Sequence, residues 1–218
     1  MLEAHETNAG RWVSQMADPS GVLCELAPVR MGSVWRPLTR FPIPQVVDAS
    51  SLRRFVEEYR DQVMVALELP AARDAYWHAT RYEVRELISL DASLGRSPAL
   101  RRFAEASRAV GRHQLRRLLP LRDQKLVRRY WHAVESGQAH GWHAVVFGVV
   151  LSLFSLPLRQ GLIYYGYQTL QGFLRAGANG LALPEPQTEG LLEEICLSLP
   201  GVVDRTISPN GTLFRVVR

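Results

Sequence analysis

The chain has 218 residues, 47% of them hydrophobic, so a single core can bury most of its apolar surface without a disulfide or structural metal. Its net charge of +5 is carried almost entirely by arginine, Lys125 being the only lysine, which favours bidentate contact with carboxylates or phosphates. Two cysteines far apart, Cys24 and Cys196, exclude a disulfide scaffold and read as reduced thiols in a reducing compartment, here the cytoplasm.

Residues 1–10 carry two glutamates and no apolar run, which is not the pattern of a signal peptide. A short helix is expected at about 11–17, ending at Asp18-Pro19. Five prolines between Pro19 and Pro44 then exclude a helix of ordinary length, so residues 1–47 form an irregular N-terminal segment.

Helical periodicity begins at Asp48. Leu52, Phe55, Val56, Tyr59, Val63, Ala66 and Leu67 recur at spacings of three and four, with Asp48 or Ser50 as cap. Pro70 opens a second helix reaching about Asp91. Ser97-Pro98 opens a third to about Leu119, Pro120 breaks it, and a fourth runs from about Leu121 to Ser136. The stretch 142–155 is apolar on every face, with about 14 apolar residues before Pro157, whereas a bilayer span needs about 20. It therefore reads as a buried central helix, with Val146, Phe147, Val150, Leu151 and Phe154 in the core. A further helix starts at Pro157 and stops at AGANG, residues 176–180. A last one at 187–198 is closed by Pro200, and residues 200–218 form a hairpin or a tail that orders on a partner. The fold class is all-α: a bundle of about seven helices around 142–155, divided into 1–47, a helical domain at 48–199, and 200–218.

Residues 96–129 hold eleven basic side chains against two acids. Arg101, Arg108, Arg112 and Arg116 share a helical face, and Ala104, Ser107 and Gly111 form a small-residue stripe suited to close approach of another helix. An arginine face permits nucleic-acid binding, but no aromatic interleaves with it in sequence to stack on bases. His132, His140 and His143 are the nearest approach to a metal cluster, of which His140 and His143 are weak candidate ligands without a completing Cys. No phosphate loop, nucleophile elbow or standard zinc spacing occurs.

In order, VVDASSLRRFVEEYRDQVMVALELP, SPALRRFAEASRAVGRHQLRRLL, HAVVFG and PEPQTEG resemble the urease accessory protein F (UreF) family, with TLFRVVR similar to its ending. The resemblance covers about 46–198. Departures include GVLCELAPVRMGSV after the first helix and Ala144 where proline is usual. The resemblance implies a non-enzymatic, cytoplasmic homodimer that bridges a UreD/UreH-type subunit and a UreG-type GTPase. It would assist nickel insertion into the urease apoprotein, with no tightly bound cofactor and nickel held only transiently. It implies neither nucleic acid nor membrane as partner. The alternative is a nucleic-acid-binding or regulatory module built on the arginine face at 96–129. Candidate partner-binding residues are Arg101, Arg108, Arg112, Gln187, Thr188, Leu213, Phe214 and Arg215.

Overall fold

A computed structural model describes residues 46–120 and 125–208. The expected helix at 11–17 and the irregular segment to residue 45 lie outside these, as do Leu213, Phe214 and Arg215. The described residues are helical and contain no strand.

Helix α1 (Ala49–Tyr59) starts at a capping box. Asp48 Oδ1 accepts from the Ser51 backbone N–H at 2.7 Å, and Ser51 Oγ accepts from the Asp48 N–H at 3.0 Å. Its buried stripe is Leu52, Phe55, Val56 and Tyr59. The rod does not end there. A π-helical segment, Arg60–Glu68, carries it directly into α2 (Leu69–Thr80). Pro70, expected to separate two helices, sits inside one continuous rod. The change of pitch just before it places Pro70 in the first turn of α2, where its missing N–H is no loss.

The second expected helix divides in two. The chain leaves α2 at Arg81, Tyr82 adopts a left-handed φ of 58°, and α3 (Val84–Leu94) follows. No glycine or proline marks that corner in the sequence. Residues 98–103 are turns rather than the start of a third helix, and α4 spans Ala104–Leu118. Next come α5 (Lys125–Glu135) and α6 (His143–Leu153).

Helix α6 is the expected centre. Every residue from His143 to Leu151 is buried. Phe154, expected in the core, is only half-buried, because the helix has ended and Phe154 caps it. Helix α6 lies between α2 and α4. A Cβ on Gly148 would stand 2.2 Å from the Ala72 carbonyl oxygen and 2.9 Å from the Ala75 Cβ, so only glycine allows α2 and α6 to touch backbone to backbone. No helix among the described residues is long and apolar enough to cross a membrane.

Helix α7 (Leu158–Leu181) packs on α1, α8 (Glu185–Cys196) and α9 (Leu199–Ile207). AGANG does not stop α7. Gly177 and Ala178 are buried inside it, Gly177 against Leu52, and the left-handed cap falls at Ala182 with φ 53°. Burial there offsets a glycine cost of about 1 kcal/mol. Pro200 likewise opens a helix instead of closing one: it occupies the first turn of α9, whose Leu199, Val202 and Val203 are buried. The expected boundary at 199/200 thus falls inside an ordered element, and residues 200–207 are neither hairpin nor loose tail.

Candidate functional site

The sequence features that stood apart, namely the arginine face, the small-residue stripe and the histidines, converge on one turn, residues 139–142, which leads into α6. Beneath that turn lies Asp91, a fully buried side chain on α3. Its carboxylate accepts backbone N–H groups from His140, from Gly141 (3.1 Å) and from Trp142 (3.0 Å), and the Tyr130 hydroxyl at 2.5 Å. Three consecutive N–H groups wrapped around one carboxylate form an anion nest. The negative charge also sits at the positive end of the α6 dipole. Burial and Asp91 together hold the Tyr130 phenol well above its ordinary range, so it stays a donor.

Helix α4 closes the turn from the other side. Arg112 Nε donates to the His140 carbonyl at 2.9 Å. The Arg108 guanidinium stacks 4.5 Å from the centre of the Trp142 ring, a cation–π contact at the base of the turn. The Ser107 hydroxyl accepts from the His143 N–H at 3.3 Å. A Cβ on Gly111 would lie 2.1 Å from the Gly141 carbonyl oxygen, so α4 presses directly on the turn. At Ser107 and Gly111, then, the small-residue stripe serves packing within the chain.

The arginine face is thereby divided. Arg108 is half-buried and committed to Trp142, and Arg112 is exposed while holding His140. Arg116 lies over the Trp131 ring at 5.1 Å. Arg101 is exposed in the turn before α4. The aromatics that sequence order failed to place among the arginines arrive from α5 and from the 139–142 turn.

The two histidines part company. His140 is half-buried against Trp142, and burial with the nearby arginines pulls it below its ordinary value. His143 is buried against Tyr165 and Phe147, and burial pulls it down to about 4, so its ring is neutral near pH 7. Among the described residues no group of three or more His, Cys, Asp or Glu could hold a metal ion. Gln187 is exposed and Thr188 buried in the first turn of α8, where the Thr188 hydroxyl donates to the Pro184 carbonyl at 3.2 Å. These two lie apart from the 139–142 turn. Burial pushes the half-buried Cys196 thiol up to about 11, which keeps it protonated.

Sequence reasoning missed two buried carboxylates. Asp91 had been read only as a helix end. Its signal was its place on the apolar stripe of α3, four residues after Leu87 and three before Leu94, both buried. The second is Glu68, at the end of the π segment, which accepts the Tyr59 hydroxyl at 2.7 Å in a fully buried setting. Burial pushes Glu68 up to about 7, and the phenols of Tyr59 and Tyr165 hold it back from rising further.

An all-helical core with a clamped turn under a basic face defines a helical scaffold. Comparison with known proteins gives it a family. The UreF family model matches residues 46–186, from the start of the described chain through α7. The urease accessory protein UreF of Sporosarcina pasteurii is 23% identical over 171 residues, covering 77% of this chain and 81% of that protein. The chain belongs to the UreF family, and as a member it is an accessory protein and not an enzyme.

Proposed function

We propose that the chain is a urease accessory scaffold that bridges a UreD/UreH-type subunit and a UreG-type GTPase while nickel is delivered to apo-urease. The observation that carries this reading is the family match over 46–186, which spans the central helix and the whole clamp around residues 139–142. The Sporosarcina relative is a urease accessory protein, which supports the urease part of this reading. On this reading the chain acts as a cytoplasmic homodimer, and nickel is passing cargo with no tightly held cofactor beside it. Arg101 and the exposed part of Arg112 offer charge to an acidic partner surface, with Gln187, Leu213, Phe214 and Arg215 contributing elsewhere, whereas Thr188 is buried and bonded to Pro184 and offers no surface. The nucleic-acid alternative is the weaker one because Arg108, Arg112 and Arg116 already have partners within the chain.

The test is the nickel content of urease purified from cells with and without this chain, alongside pull-down of the UreG-type GTPase. The expected result is nickel-poor urease in the deletion strain, restored by the wild-type chain. Urease loaded equally well in the deletion strain would overturn the reading.

A further inference from the structure

A second basic surface lines a groove of about 460 Å³ between α3 and α5, ending at Gln138, one residue before the clamped turn. Val84 and Ile88 of α3 and Ala133 of α5 form an apolar floor, half-buried or buried. Arg85, Arg128 and Arg129 form an exposed rim, joined at one end by His132 and Gln138. Among the described residues no carboxylate lines the groove.

Four arginines of the described residues are held in ion pairs: Arg53 with Glu57 and Glu194, Arg60 with Asp61, Arg73 with Asp74, and Arg159 with Asp204. Arg85, Arg128 and Arg129 have no ion pair among the described residues. Of the two acids on α3, Asp91 is buried and fully engaged by the 139–142 turn, and the exposed Glu86 forms no ion pair among the described residues. The groove thus presents three unneutralised guanidinium groups around an apolar strip, along two helices of 11 residues each, or about 16 Å.

We infer that this groove docks an acidic amphipathic helix of a partner protein. Its apolar stripe would cover Val84, Ile88 and Ala133, and its flanking Asp or Glu side chains would pair with Arg85, Arg128 and Arg129. The apolar floor decides against a nucleic-acid backbone, which has nothing to bury there. The tryptophan of α5, Trp131, is covered by Arg116 and is not free to stack on bases. Helix-in-groove recognition uses this combination of apolar anchors and charged flanks. The inference names only the chemistry of the partner and stands whether or not the chain serves urease.

The test uses the full chain and a fluorescein-labelled helical peptide of about five turns, with Leu at spacings of three and four and Glu on both flanks. A benzophenone on the peptide reports where it sits. Crosslinks should fall within residues 84–88 and 128–138. The triple variant R85E/R128E/R129E should weaken binding at least about tenfold. Ile88→Asp should weaken it too, whereas R54E/R175E, at exposed positions outside the groove, should leave it unchanged. Circular dichroism melting shows that each variant is folded, and any variant that melts early is replaced by its Gln counterpart at the same positions. The inference is overturned by any of three results: no binding of the peptide to the wild-type chain, equal binding by the folded triple variant, or crosslinks elsewhere. It is also overturned if duplex DNA binds through these arginines while the acidic peptide does not.

Discussion

Two carboxylates are buried among the described residues, and they do opposite work. Asp91 is surrounded by donors, with three backbone N–H groups and a phenol, and it fastens the turn that starts the central helix. Glu68 has two phenols near it and no backbone donor, and burial pushes it up to about 7. The number and kind of donors, more than depth, separate a carboxylate that fastens a backbone turn from one that burial pushes up.

That contrast predicts a large effect at Asp91. Asp91→Ala would leave three N–H groups and the Tyr130 hydroxyl buried without an acceptor, at about 1–3 kcal/mol for each that water cannot reach. We expect a net loss of about 4 kcal/mol, measured as a lowered urea midpoint with an unchanged slope. A loss below about 1 kcal/mol would show that the turn holds itself without the carboxylate.

At Glu68 the effect depends on pH. Its folded value, about 7, is above its ordinary 4.5, so the folded chain holds an extra proton in that window and stability falls as pH rises through it. His143 does the reverse. Its folded value, about 4, is below its ordinary 6.5, so the folded chain binds fewer protons there and stability rises with pH between 4 and 6.5. The two slopes oppose each other from 4.5 to 6.5, leaving the wild type nearly flat with respect to this pair. Glu68→Gln should uncover the histidine slope, a gain of about 3 kcal/mol between pH 4 and 6.5. Chemical denaturation across that range reads it directly, and a variant as flat as the wild type would count against both assignments.

The smallest effect belongs to Arg108. Arg108→Ala removes the cation–π contact with Trp142 but leaves Asp91 and Arg112 on the turn, so a loss of about 1 kcal/mol is expected. Near-ultraviolet circular dichroism should change with it, because Trp142 loses its cover. Since Arg108 helps hold the fold, Arg101 is the cleaner position at which to test partner binding.

The sequence made much of this legible. An apolar stretch with no polar face could only be central, and α6 is. The stripe of α1 was equally plain, and its cap was narrowed to Asp48 or Ser50; the structure picks Asp48 and adds Ser51 as its partner in a capping box. What stayed hidden were places where a tertiary contact overruled a local signal. Gly177 and Ala178 read as a stop but are buried in α7. Pro200 read as a stop but begins α9. The corner at Tyr82 has no local signal at all. The same cause hid the site: the arginines and histidines were visible as residues, but the acceptor that organises them, Asp91, lies about fifty positions from the turn that it holds.

The π segment has a consequence for how this protein can tolerate changes in length. Between Tyr59 and Leu69 the rod is wound more loosely than an α-helix, and this winding sets the angle between the stripe of α1 and that of α2. Tightening it to α pitch would leave a surplus residue and swing one stripe by about 100° relative to the other. A single-residue deletion within 60–68 could be absorbed by that tightening with both stripes still in register. The same deletion in α2, where Ala72 and Ala75 meet Gly148, would find no slack. Length variants of this rod should therefore gather in the π segment.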